Sequence, residues 1–307
     1  MRLPEGGTVV VTGVTGFVGK HVALEAAARG FRVHGIARTG SDDPELLDSL
    51  AALSVVDLRH GLPDDLPVDG VLHLAGLASV GPSFEHPQTY IAENSAMMTV
   101  LGERLLRDGS RARVVVVSSG AVYAAASGRP VTESTALRAS SPYAVSKIVV
   151  EVQAQYYRDR GLDVVVARPF NHIGSGQRPG FLVPDLLDAL SASPGEVAVG
   201  DLATRRDYTD VRDIARAYMD LLQAETLAHD TYNVASGRSR SGEEVLARIC
   251  AELGRPVPRR EAKRALSRPA DVADVVGSHD RITDELGWRP TTPFEQTIAE
   301  IVKAERE

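Results

Sequence analysis

Short β-branched apolar runs alternate with helically spaced stretches along the first half of the chain. Thr8 to Thr12 (TVVVT) is apolar or β-branched throughout, as a strand covered on both faces of a parallel sheet must be. Phe17 to Arg29 follows with Phe17, His21, Leu24 and Ala28 on one side and Gly30 as a stop, which predicts a helix. Further strands are predicted at Arg32 to Ala37, Ser54 to Asp57, Val71 to Leu74, Arg113 to Ser118 and Asp163 to Ala167. Helices are predicted over Gln88 to Arg107 and Pro142 to Arg160, with Pro142 in the first turn, where its missing N–H costs nothing. This alternation predicts an α/β fold with a doubly wound parallel sheet, whose functional turns gather at the carboxyl edge.

After Arg168 the pattern loosens. Gly174, Gly176, Pro179, Gly180, Pro184, Pro194 and Gly195 crowd a segment expected to hold a short helix, Phe181 to Leu190, and a short strand, Glu196 to Val199. Val211 to Ala224 is again amphipathic, Thr231 to Val234 can return to the main sheet, and three short helices follow Ser241. The expected division is a dinucleotide-binding domain over 1–167 plus 207–236 and a smaller α/β substrate lobe over 168–206 plus 237–307.

Composition narrows the function classes. The chain has 307 residues and a formal net charge of −7, so no basic stripe announces nucleic acid. Its single cysteine, Cys250, shares the apolar register of Val245, Leu246, Ile249 and Leu253 and reads as a core residue. No histidine falls in a metal-ligand spacing, so no metal site is expected. The first strand begins too early to leave room for a signal peptide and no run is long enough for a membrane span, so the cytoplasm is the expected compartment.

Thr12-Gly13-Val14-Thr15-Gly16-Phe17-Val18-Gly19 carries three glycines, follows a strand and opens a helix. Gly13 permits the tight turn, Gly16 lets backbone approach a pyrophosphate, and Gly19 lets helix and strand pack closely. The helix N-terminus presents free N–H groups to the phosphates. The sheet is therefore expected to be of Rossmann type, holding a nicotinamide dinucleotide. The second strand ends in Arg38 where a carboxylate would read a free ribose, which favours NADP(H) and leaves NAD(H) open. Asp57 can accept from the adenine amino group or serve as a turn residue.

Tyr143 and Lys147 stand four apart at the start of a helix, on one face. A phenol is a poor acid–base group at neutral pH until a neighbouring ammonium stabilises its phenolate. Ser119, just past the central strand, can hydrogen-bond the same substrate oxygen.

The glycine loop, Ser119 and Tyr143-x-x-x-Lys147, in this order, resemble the extended short-chain dehydrogenase/reductase superfamily, as do Val71-Leu72-His73-Leu74-Ala75-Gly76 and Asn94. Ser140 to Lys147, Ala167 to Gln177, Arg206 to Asp213, Tyr232 to Val234 and Arg268 to Asp271 are similar to segments of the GDP-6-deoxy-4-keto-mannose reductases. The resemblance implies cofactor contacts from Gly13, Thr15, Gly16, Phe17, Val18, Gly19, Arg38, Asp57, Leu58, Leu74, Ala75, Gly76, Asn94, Ser118, Tyr143, Lys147 and Pro169. It implies substrate contacts from Ser79, Ser119, Tyr143, Asn171, Val183, Arg206, Arg268 and Asp271, with the two arginines on a diphosphate. Dehydratases of the superfamily resemble one another in carrying acidic residues just after the catalytic hydroxyl; here Gly120 and Ala121 stand there. Epimerising reductases resemble one another in a Cys/His pair, which Cys250 is too remote to supply.

The expectation is an NAD(P)H-dependent reductase of the C4 ketone in a nucleotide-linked 4-keto-6-deoxyhexose. The first choice is GDP-4-keto-6-deoxy-D-mannose to GDP-D-rhamnose. A dTDP- or CDP-sugar reductase, a 4-epimerase and a non-catalytic NADP-binding regulator are the alternatives. Relatives commonly dimerise through the two long helices. Met97, Met98, Leu101, Leu105, Val149, Val152 and Tyr156 either form such a homodimer face or pack on the sheet.

Overall fold

The computed structural model describes residues 3–124, 129–193, 195–262 and 274–306. The first half runs β1 (Thr8–Thr12), α1 (Phe17–Ala28), β2 (Arg32–Ala37), α2 (Pro44–Ser49), β3 (Ala52–Val55), β4 (Gly70–His73), α3 (Val80–Ser83), α4 (Pro87–Arg107), β5 (Arg113–Val117), α5 (Pro142–Asp159) and β6 (Val164–Pro169). The second half runs β7 (Asn171–Ile173), α6 (Leu182–Ala192), β8 (Glu196–Val199), β9 (Arg205–Asp210), α7 (Val211–Gln223) and β10 (Thr231–Val234). It ends with β11 (Ser239–Ser241), α8 (Gly242–Glu252), β12 (Arg259–Ala262), β13 (Asp274–Val275), α9 (Asp280–Leu286) and α10 (Phe294–Ala304).

Seven strands form the main sheet in the order β10-β6-β5-β4-β1-β2-β3, every neighbouring pair parallel. Chain order reverses between β1 and β4, and a crevice opens there at the carboxyl ends of the strands. Both faces are covered, which is why these strands read as unbroken apolar runs. One apolar layer joins Val9, Val11, Val115 and Val165 to Ala23 and Ala26 of α1 and Ile214 and Tyr218 of α7. The opposite layer joins Val10, Val114 and Val166 to Met98 and Leu101 of α4 and Val150 and Ala154 of α5. A separate core, with Val183, Leu187, Val245 and Ile298, sits beneath the smaller lobe.

The third strand ends at Val55, two residues before the expected Asp57, which instead opens a turn with Arg59. The expected boundary at Asp207 falls inside β9, which pairs with β7, β11 and β13 in a second sheet. Among the candidates for a dimer face, Met98, Leu101 and Leu105 pack into the sheet-side core, whereas Val152 and Tyr156 are exposed. Cys250 is buried in the small-lobe core. Among the described residues no group of three or more His, Cys, Asp or Glu could hold a metal, and no helix is long and apolar enough to cross a membrane.

Candidate active site

The β1–α1 turn has the shape of an anion cradle. Gly13 sits at φ +72°, a conformation that a side chain resists. A Cβ there would lie 2.9 Å from the Ala75 amide nitrogen, and one on Gly19 would lie 2.8 Å from Val14 Cα and inside contact distance of Gly13 O. Gly16 is the N-cap of α1 and offers no side-chain cap, so the first-turn N–H groups of Phe17, Val18 and Gly19 face the crevice edge without intrahelical partners. Phe17 stacks on His172 at 6.1 Å between centroids and meets His21 edge-on at 5.6 Å. Backbone donors, a helix N-terminus and glycines where Cβ atoms would intrude fit a dinucleotide pyrophosphate.

Tyr143 and Lys147 are buried one turn apart on α5, whose start is set by Ser141 accepting from Ala144 N at 3.1 Å. Lys147 Nζ lies 5.9 Å from the Tyr143 ring centroid and donates to Val117 O at 2.9 Å. Burial raises the Tyr143 pKa, and the Ser119 side chain hydrogen-bonded to it pulls the other way. Burial pushes the Lys147 ammonium down to about 8, against the pull of Glu151. Ser119 Oγ accepts from Ala121 N at 3.2 Å, so its own hydrogen is directed toward the Tyr143 hydroxyl, where a substrate oxygen would also be met.

The loop after β4 closes the site's floor. Asn94 of α4 accepts from Leu77 N (2.7 Å) and donates to Leu77 O (3.2 Å) and Ser146 Oγ (2.9 Å); Ser146 donates in turn to Tyr143 O. Asn94 therefore ties this loop to the helix of Tyr143 and Lys147. A Cβ on Gly76 would stand 3.2 Å from Asn94 Oδ1 and 3.5 Å from Lys147 Nζ. Ala75 N donates to Thr12 Oγ1, which is hydrogen-bonded to His73 Nδ1 at 2.9 Å. Burial, with Lys147 nearby, holds the His73 pKa down to about 3, so its ring is neutral at working pH.

The remaining expected residues fall into three groups. Thr15, Leu74 and Ser118 lie on the turns around the crevice, and Pro169 ends β6. Arg38 is exposed just past β2, Ser79 is half-buried at the start of α3, and Asn171 is exposed on β7. Four others are held by the protein itself. The Asp57 carboxylate is chelated by Arg59 through Nε at 2.9 Å and Nη2 at 2.5 Å, which holds its pKa well below the usual carboxylate range. Leu58 is buried. Val183 packs into the small-lobe core, so only its backbone can reach a ligand. Arg206 is half-buried on β9 and donates to Arg205 O at 2.7 Å. Arg268 and Asp271 lie outside the described residues.

Two features escaped the sequence reading. Glu151 and Arg168 form a buried ion pair directly behind Lys147. Phe170 packs over Gly120: a Cβ there would lie 3.1 Å from its ring, and one on Gly277 2.6 Å from it. The spacing Lys147-x-x-x-Glu151 and an arginine inside the apolar run before Pro169 were the available signals for the pair.

The NAD dependent epimerase/dehydratase family model matches residues 9–235. The chain belongs to that family. It is 32% identical to GDP-6-deoxy-D-mannose reductase of Pseudomonas aeruginosa, with 95% of each chain covered. It is also 32% identical to dTDP-glucose 4,6-dehydratase of Xanthomonas campestris pv. campestris, covering 96% of this chain and 92% of the relative. A solved UDP-glucose 4-epimerase of Thermus thermophilus in complex with NAD superimposes with a TM-score of 0.84 at 27% identity, covering 97% of this chain and 99% of that one. The α/β architecture and the dinucleotide crevice of the chain are those of this family.

Proposed function

We propose that this enzyme acts on a nucleotide-linked sugar and reduces the C4 ketone of GDP-4-keto-6-deoxy-D-mannose, with NADPH, to GDP-D-rhamnose. Identity to relatives does not choose among reduction, dehydration and epimerisation, since a reductase and a dehydratase match equally well. Position 120 carries the choice against dehydration, while Ser119, Tyr143 and Lys147 serve reduction and 4-epimerisation alike and the assay below separates those two. Gly120 and Ala121 follow Ser119 with no carboxylate, and a Cβ at 120 would stand 3.1 Å from the Phe170 ring. An elimination needs an acid and a base there; a hydride reduction needs neither.

The residues at hand suffice for the reduction. Gly13, Gly16 and the first turn of α1 would hold the pyrophosphate, Lys147 the nicotinamide ribose, and Arg38 a 2′-phosphate. The bound nicotinamide supplies the hydride. Tyr143 gives its phenolic proton to the C4 oxygen, the Lys147 ammonium stabilises the phenolate left behind, and Ser119 donates a hydrogen bond to the same oxygen. Positioned acid catalysis of this kind contributes about 10²–10⁴-fold. Arg206 sits in the smaller lobe, from which a sugar diphosphate would be met. The exposed Val152 and Tyr156 of α5 would pack against a second copy in a homodimer.

The test is NADPH oxidation, followed by absorbance, with GDP-4-keto-6-deoxy-D-mannose, its dTDP counterpart and a C4-epimeric pair of nucleotide sugars. Oxidation with the GDP sugar is expected. Turnover of the epimeric pair without added reductant, or of the dTDP sugar alone, overturns the assignment.

A further inference from the structure

The Glu151–Arg168 pair has no part in the roles above. Arg168 grips the carboxylate with two N–H groups, Nε to Oε1 at 2.8 Å and Nη2 to Oε2 at 2.5 Å, and Ser118 Oγ donates to Oε1 at 2.5 Å. On its far side Arg168 donates to the Tyr123 hydroxyl at 2.8 Å and lies 4.9 Å from that ring's centroid; Tyr123 donates onward to Asn233 Oδ1 at 2.6 Å. The pair is thus anchored to β5, α5, β6 and β10 together. A buried ion pair is weak as a source of stability, because well-packed apolar residues serve as well or better. Its place beside the site suggests another use.

Lys147 and Glu151 stand one helical turn apart on the same face of α5. They hold consecutive residues of the sheet: Lys147 takes the carbonyl of Val117, and Glu151 takes the hydroxyl of Ser118. Ser119 comes next. The charged and titratable groups around Lys147 are Tyr143 and Glu151 on its own helix, His73 at the end of β4, and Arg168 of β6 behind Glu151. Tyr143 also faces Tyr90 of α4 and Tyr218 of α7.

We propose that Glu151 is a positioning residue for the reduction: clamped by Arg168 and Ser118 one turn from Lys147, its carboxylate keeps the Lys147 ammonium charged in a dry site and fixes the end of β5 from which Ser119 projects. This rests on the assignment of Tyr143 and Lys147 to the chemistry. Burial pushes Lys147 toward neutrality, and Glu151 opposes it. A neutral amine would stabilise no phenolate.

The chain has four lysines, Lys20, Lys147, Lys263 and Lys303, so carbon-13 lysine labelling gives four side-chain resonances to titrate. Lys147→Arg identifies the one that matters. In the free protein the Lys147 midpoint should lie well below those of surface lysines. Glu151→Gln leaves Arg168 as an uncompensated cation and should lower that midpoint by about one pH unit or more. The double variant Glu151→Gln/Arg168→Met has no unpaired buried charge and should fall between Glu151→Gln and the wild type. The alkaline limb of the reduction rate should move in the same order. If Glu151→Gln does not fold, a midpoint below wild type in the double variant supports the proposal. An unchanged midpoint in either variant overturns it. If the midpoints follow the order but no keto sugar is reduced, the proposed function falls and the role of Glu151 stands.

Discussion

Gly19→Ala tests whether the cradle at β1–α1 is shaped for a cofactor. The new methyl would sit 2.8 Å from Val14 Cα and closer still to Gly13 O, both backbone atoms, so nothing flexible can yield. The loop must retreat from α1 by about an ångström, at a cost of about 1–3 kcal/mol for overpacking. The same retreat misaligns the first-turn N–H groups. Losing two amide bonds to a charged phosphate, each worth about 1.5–3 kcal/mol, predicts about a 10²–10⁴-fold rise in the NADPH dissociation constant. Gly16→Ala is the contrast, because its methyl meets only Gly13 O, at 3.1 Å. That variant should lose much less melting temperature than Gly19→Ala while losing cofactor affinity to a similar degree. Fluorescence titration with NADPH and thermal unfolding read the two quantities separately. A Gly19→Ala protein as stable as wild type that binds NADPH within about threefold of wild type would refute the cradle.

Tyr143→Phe should cut the turnover rate by about 10²–10⁴-fold while NADPH affinity holds, and full activity would remove Tyr143 from the chemistry. Gly120→Asp should lower stability by about 1–3 kcal/mol through the clash with Phe170 and gain no dehydration of GDP-mannose; product analysis showing a 4-keto sugar would contradict the closed position. Arg38→Glu should raise the KM for NADPH about 10-fold or more and spare NADH, as read by initial rates with each cofactor. Lys147 titrates near 8 when folded, below its ordinary value, so the unfolded chain holds that proton more tightly. The cost of burying that ammonium should therefore be relieved as pH rises from about 8 to about 10.5, so the melting temperature of wild type should climb relative to that of Lys147→Met; a fall of wild type relative to Lys147→Met over that range would reverse the sign.

The main sheet was legible because its strands are covered on both faces, and only apolar β-branched runs meet that demand. Thr231–Val234 could be placed back in the sheet on four residues alone. The second sheet was not legible. Its strand Arg205–Asp210 reads RRDYTD, and its charges are absorbed by partners distant in sequence, as when Asp207 accepts from Ser236 N and Gly277 N. The third strand was set two residues late because Asp57 resembles a strand end and is a turn held by Arg59. The proposed pairing of Tyr143 with Lys147 could be read from spacing, since the two are neighbours on one helix. The Glu151–Arg168 pair joins a helix to a strand 17 residues on, so spacing marks each charge as out of place but not their meeting, and no local pattern brings Phe170 to Gly120 across 50 positions.

Phe170 also bears on how this chain could change its chemistry by mutation. It is wedged between Gly120 and Gly277, so placing an acid at 120 first collides with the ring. Shrinking the ring first opens a cavity at about 3–5 kcal/mol, a large part of a domain's whole stability. Each order passes through a destabilised intermediate. The relatives of this chain include a reductase, a dehydratase and epimerases, and moving this chain toward dehydration calls for coordinated changes at 120 and 170. Libraries that vary one site at a time should return no dehydratase, while those that randomise both together open the route.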